Sequence, residues 1–126
     1  MDFTVHASMP ASDIDRARAW YSDKLGLEPM DSGPGGELRY DTGGTQFGVY
    51  PSAFAGTNQA TAAVLIVSDF DAAHAELFSK GVVFEDYDFG DDFRTVNGVL
   101  ASPDGEKTSW FKDSEGNIIE LSEPTE

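Results

Sequence analysis

Apolar and polar positions alternate along this chain in two different periods. Residues 3–7, Phe-Thr-Val-His-Ala, and residues 62–67, Ala-Ala-Val-Leu-Ile-Val, read as strands. Each is followed by apolar residues three to four apart: Ile14, Ala17, Tyr21 and Leu25, then Phe70, Ala73, Leu77 and Phe78. That spacing predicts one buried face on each of two helices. Ser12 and Ser68 stand as N-caps with Asp15 and Asp71 three residues on, a capping box with Asp in place of Glu. Gly26 and Gly81 stand where each helix would stop. After the first helix, residues 38–40 and 46–50 flank Gly43-Gly44 as a hairpin. After the second, residues 82–84, 96–101, 108–111 and 117–121 read as strands, with turns at Pro103-Asp104-Gly105 and Ser114-Glu115-Gly116.

The two halves repeat. Residues 12–24, SDIDRARAWYSDK, laid over residues 68–80, SDFDAAHAELFSK, at an offset of 56 match at Ser12/Ser68, Asp13/Asp69, Asp15/Asp71, Ala17/Ala73, Ala19/Ala75 and Lys24/Lys80. The expected organisation is one α+β domain, 1–126, made of two βαβββ modules, 1–56 and 57–126, connected through residues 51–59. Side chains alternate faces along a strand. Thr4, His6 and Ser8 therefore share one face of the first strand, while Phe3, Val5 and Ala7 turn to the helices. Extending the parity puts Gln46, Gly48, Tyr50, Ala62, Val64, Ile66, Ile118, Glu120 and Ser122 on the faces away from the helices. Such a mixed surface, apolar with a few convergent polar groups, is what a small-molecule pocket requires.

Charge and composition narrow the classes. Among 126 residues, 23 acids against 8 bases leave a formal charge of −15. That field repels phosphate backbones and anionic lipids, so neither nucleic acid nor membrane is an expected partner. It favours a cationic ligand, or serves solubility or tolerance of high salt. The absence of cysteine excludes disulfides, thiolate metal sites and a cysteine nucleophile. No apolar run approaches the length of a membrane span, and Met1-Asp2-Phe3 has neither the basic nor the apolar region of a secretory signal, so the expected compartment is cytoplasmic. Residues 85–93 interleave acids with Tyr87, Phe89 and Phe93 and predict an exposed lip. Its aromatic faces would stack a flat ligand and its acids attract a cation, or else the rings simply fold onto the body of the protein.

Three segments carry a resemblance covering essentially the whole chain. They are the opening FTVHASMPASDIDRARAWYSDKLGLEP, its weaker echo AAVLIVSDFDAAHAELFSKGVVFE, and the closing FKDSEGNIIELSEP with its Asp113-x-x-Gly116-Asn117 turn. Together they resemble the vicinal-oxygen-chelate superfamily, which includes glyoxalase I, extradiol dioxygenases, fosfomycin-resistance enzymes and bleomycin-resistance proteins. The resemblance implies curved mixed sheets with helices on the outer face, the glyoxalase/bleomycin resistance fold. It also implies one metal ligand on the first and one on the last strand of each module. Those positions are His6, Gly48 (or Phe47 or Val49), Ala62 and Glu120, two of which bind nothing.

No metal, no cofactor and no catalytic residue are therefore expected. The resemblance then implies a bleomycin-resistance-like homodimer that sequesters a large flat or cationic natural product such as an antibiotic. Its ligand-binding residues would be His6, Gln46, Tyr50, Phe54, Tyr87, Phe89, Trp110 and Glu120. The alternative is a glyoxalase-like lyase or dioxygenase using His6 and Glu120 as a partial metal site or as a general base. His74, the other histidine, lies on the second helix and is expected to be structural.

Overall fold

Two aspartates start the two helices. The Asp13 carboxylate accepts a hydrogen bond from the Arg16 N–H at 3.0 Å and opens α1 (Ile14–Leu25). The Asp69 carboxylate accepts one from the Ala72 N–H, also at 3.0 Å, and opens α2 (Phe70–Ser79). The caps thus fall one residue after the expected Ser12 and Ser68. A carboxylate also complements the positive end of the helix dipole, which a hydroxyl does not. The Ser12 hydroxyl donates to Glu115 instead, at 3.3 Å. α1 ends at Gly26, whose φ of +67° is the left-handed conformation a C-terminal cap requires.

The computed structural model describes residues 1–91 and 93–124. Among them lie eight strands: β1 (Ala7–Ala11), β2 (Asp31–Ser32), β3 (Leu38–Asp41), β4 (Gln46–Pro51), β5 (Thr61–Ile66), β6 (Leu100–Ala101), β7 (Lys107–Lys112) and β8 (Ile118–Ser122). They form two mixed sheets of identical topology, β1-β4-β3-β2 and β5-β8-β7-β6. In each the first and last strands run parallel and the other pairings are antiparallel. Each sheet with its helix is a βαβββ module. The chain divides into two compact units: Met1–Gln59 with Asp113–Asn117, and Ala60–Lys112 with Ile118–Glu126. No helix of the described residues is long and apolar enough to cross a membrane.

In the first unit, Met9, Ala11, Leu38, Tyr40 and Val49 are buried on the face that α1 covers. Tyr21 of α1 lies 5.7 Å, ring centre to ring centre, from both Tyr40 and Phe47, which stack on each other at 4.9 Å. In the second, Phe111, Ile119 and Leu121 are buried on one face of the sheet, and α2 buries Phe70 and Leu77. Phe84 meets Phe111 edge-on at 5.8 Å.

Several expected elements are corrected. The first strand starts at Ala7, not at residue 3, because its parallel partner begins only at Gln46, directly after the β3–β4 turn. Phe3 and Val5, expected against the helices, are each 75% exposed. Residues 82–84 form no strand, only an isolated bridge between Phe84 and Phe111, and residues 96–101 shorten to β6 after a turn closed between Val96 and Val99. Phe78, expected in the buried stripe of α2, is 70% exposed, since Leu77 beside it takes the inward position. β2 lies outside the strand pattern of the sequence: two residues carry no periodicity, and Asp31 is held to Arg39 only across the sheet.

Candidate functional site

Strand register in the second unit builds a row of side chains across one sheet face. Trp110 of β7 pairs with Glu120 of β8, which pairs with Val64 of β5. The row lies opposite the face carrying Phe111, Ile119 and Leu121. Trp110 is buried beside Leu100 and Ile118, with Tyr87 against them. Three rings meet there pairwise: Tyr87 to Trp110 at 5.7 Å, Phe89 to Trp110 at 5.8 Å and Tyr87 to Phe89 at 5.7 Å. Phe89 remains 61% exposed, so the cluster has a buried floor and a wet rim. Burial raises the Tyr87 hydroxyl above the ordinary tyrosine range, with Glu85 adding to the effect. Four of the expected ligand residues, Tyr87, Phe89, Trp110 and Glu120, are thus gathered by one sheet and its loop.

The loop owes its shape to residues that the sequence pattern did not single out. The Asp86 carboxylate accepts from the Thr95 hydroxyl and from the Gly98 N–H, both at 2.8 Å. Those bonds, the Gly98 one foremost, lower the Asp86 carboxyl below its ordinary range. The Thr95 hydroxyl oxygen also accepts from the Tyr87 N–H at 2.7 Å, and the Thr95 N–H returns a bond to the Tyr87 carbonyl. Tyr87 and Thr95 face each other across a short hairpin that the Asp88–Arg94 bridge continues, and Asp86 reaches Gly98 twelve residues on.

In the first unit, His6 and Gln46 line an open depression of about 310 Å³ with Thr4, Val5, Asp41 and Gly43 to Thr45. Tyr50 follows Gln46 and Gly48 on the same face of β4 and is 40% exposed, while Phe54 is 76% exposed in the turn after β4. Neither lines the depression. His74 is half-buried and stacks on Phe84 at 3.9 Å. Its Nε2 is buried with no hydrogen-bond partner among the described residues, and burial lowers its pKa.

The Asp113-x-x-Gly116-Asn117 motif builds structure rather than a binding surface. Asp113 Oδ1 accepts from the Glu115 and Asn117 N–H groups at 2.9 Å, and Oδ2 accepts from the Tyr21 hydroxyl at 2.7 Å and the Asn117 amide at 2.8 Å. Burial, reinforced by Asp113, pushes the Tyr21 hydroxyl far up. Glu115 reaches the start of α1, accepting from the Asp13 N–H at 2.9 Å and from Arg16 at 2.8 and 3.0 Å. The hydrogen bond from Arg16 is the main reason its carboxyl falls to about 2.

The metal site implied by resemblance does not fit these residues. An offset of 56 relates Ser8 to Val64, and their sheet partners are Gly48 and Glu120. Gly48 is therefore the counterpart of Glu120, and Ala62 that of His6, and neither has a side-chain donor. No three His, Asp or Glu side chains among the described residues form a group able to hold a metal ion. A catalytic zinc or non-haem iron site takes about three protein ligands.

Solved structures share the architecture. TnmS3, an antibiotic binding protein from Streptomyces sp. CB03234, is 22% identical, with 99% of each chain covered and a TM-score of 0.67. A lactoylglutathione lyase from Agrobacterium tumefaciens is 17% identical, covering 98% of this chain and 94% of its own, with a TM-score of 0.72. A bleomycin-binding protein complexed with bleomycin is 14% identical, covering 98% of this chain and 100% of its own, with a TM-score of 0.71. At such identities the likeness establishes the fold and no more. No curated protein matches the sequence. The Glyoxalase/Bleomycin resistance protein/Dioxygenase superfamily model matches residues 4–121. With nearly the whole chain matched and both modules carrying that architecture, the protein belongs to the glyoxalase/bleomycin resistance/dioxygenase superfamily.

Proposed function

We propose that this protein is a binding protein that sequesters a flat, cationic natural product and releases it chemically unchanged. The observation that carries this reading is the Tyr87–Phe89–Trp110 cluster with Glu120 beside Trp110. Ring faces with one exposed member suit a planar aromatic ligand, and the carboxylate suits its positive charge. Glycine and alanine at two of the superfamily's ligand positions support bulk recognition over chelation. TnmS3 and the bleomycin-binding protein, with the same fold, have antibiotic-binding names of their own. Sequestration works by mass action, because a ligand held tightly is not free to reach its target.

The test is quenching of tryptophan fluorescence by bleomycin and by the cationic anthraquinone mitoxantrone, with a chelator present and the ligand recovered for mass analysis. Saturable quenching with unchanged ligand is expected. Phe89→Ala should weaken it about 3- to 10-fold, the equivalent of one lost ring contact at ~0.5–1.5 kcal/mol. A ligand returned modified, or bound only after metal is restored, overturns this reading in favour of an enzyme using His6 and Glu120.

The binder is further proposed to act as a homodimer. Met1, Phe3 and Val5 are exposed on a segment that continues the alternation of edge strand β1 without a partner strand among the described residues. Such a segment is a template for pairing with another chain. Sedimentation equilibrium should give twice the 13.6 kDa of one chain, and a mass of one chain at working concentration refutes the dimer.

A further inference from the structure

The depression in the first unit is separate in its chemistry from the aromatic cluster. Its wall on one side is Thr4, Val5 and His6; on the other it is Asp41, Gly43, Gly44, Thr45 and Gln46. About 310 Å³ is at the small end of ligand pockets, which run from about 300 to 1,000 Å³, and suits one ring-sized polar group.

The polar side chains there face solvent and are open to a ligand. Among the described residues, none bonds to the His6 imidazole, the Gln46 amide or the Thr4 hydroxyl. Asp41 commits Oδ1 to the Gly43 N–H at 2.9 Å, leaving Oδ2 free to accept from a ligand. One carboxylate, one imidazole, one carboxamide and two threonine hydroxyls therefore surround the hollow, with the methyls of Val5 as its apolar element. Gly43 and Gly44 contribute no side chains to its lining, and a Cβ at either would meet nothing within 4 Å.

A carboxylate selects a positive charge, while neutral donors and acceptors in an arc match hydroxyls. We infer that this depression is a binding site for an amino sugar, a hydroxylated ring bearing one ammonium group held by Asp41 and hydroxyls held by His6, Gln46 and Thr45. The inference rests on the protein being a small-molecule binder and adds a separate site with its own chemistry.

Glucosamine hydrochloride is the probe, titrated into the ¹⁵N-labelled protein and followed by amide chemical shifts. Glucose and ammonium chloride at matched ionic strength are the controls. Saturable shifts confined to residues 4–6 and 41–46 are expected, with glucose bound about fivefold more weakly, as for one exposed charge pair. Asp41→Asn keeps an acceptor for the Gly43 N–H while removing the charge, and should weaken glucosamine about fivefold without affecting glucose. Gly44→Phe fills the hollow from a position with open space and should abolish the shifts, its own spectrum confirming an intact fold. Shifts absent from both segments, equal with ammonium chloride, or persisting in Gly44→Phe overturn the inference. Mitoxantrone quenching keeps the two readings apart. Loss of the glucosamine shifts with quenching intact removes this site alone, and the reverse removes the aromatic reading alone.

Discussion

Glu115 illustrates how much one side chain does at the residue scale. Its carboxylate is fully shielded from solvent and accepts hydrogen bonds from Asp13, Arg16, Ser12 and Ser114, tying a turn in the last quarter of the sequence to the start of α1. The group titrates at about 2 in the folded protein against an ordinary value of 4.5. Its contribution to stability is therefore complete above pH 4.5 and is lost as the pH falls towards 2. Glu115→Gln should lower stability at neutral pH by about 1–3 kcal/mol, from weakened bonds to a buried acceptor. It should also flatten the pH dependence of the urea midpoint between pH 4.5 and 2. An unchanged slope would place the acid sensitivity elsewhere. None of this was legible in the sequence, because the partners of Glu115 on α1 lie some hundred residues away. The candidate ligand residues were legible only by type and strand parity. Parity puts Glu120 and Gln46 on the faces away from the helices, but only the structure reveals that Tyr87 and Phe89 fold onto Trp110 and that Phe54 is exposed.

At the scale of elements, what local chemistry determines was readable and what depends on distant partners was not. Both helices, the Gly43-Gly44 hairpin and the β7–β8 turn follow from periodicity, caps and glycines close in sequence. The segment from 82 to 99 resisted because it pairs with itself only through isolated bridges, Asp88 with Arg94 and Val96 with Val99, while the Thr95 and Asp86 side chains take the Tyr87 and Gly98 N–H groups. The β7–β8 turn adds a constraint beyond its turn type. Gly116 has a φ of +86°, and a Cβ there would stand 2.9 Å from the Gly56 Cα, closer than carbon atoms approach without displacement. Gly105 has a similar φ of +89° with open space around it. Gly105→Ala should thus cost only the conformational penalty, about 1–2 kcal/mol. Gly116→Ala should cost about 2–4 kcal/mol, because the backbone at Gly56 must also move. Urea denaturation of the two variants separates the terms, and equal losses would show that the approach of Gly56 carries no energetic weight.

For the whole molecule, the question is what a formal charge of −15 does. Most of the few bases are already engaged. Arg16, Lys24, Arg39, Lys80, Lys107 and Lys112 each lie within 4 Å of a carboxylate, so most of the surplus acids face solvent without counter-charge. Mutual repulsion among them opposes folding, and added salt screens it. The thermal midpoint should therefore rise between about 20 mM and about 500 mM sodium chloride, over which the screening length falls from roughly 20 Å to a few ångströms. The same screening weakens attraction of a cationic ligand. If the acidity serves recognition, mitoxantrone affinity should fall steeply over that range while a neutral anthraquinone of the same ring system is little affected. If it serves solubility, both ligands should respond alike even as the midpoint climbs. Measuring the two affinities beside the midpoint across one salt series separates a field that stabilises by its dilution from a field that selects a ligand. Parallel salt responses of the charged and neutral ligands would remove the electrostatic half of the proposed recognition and leave the aromatic half standing.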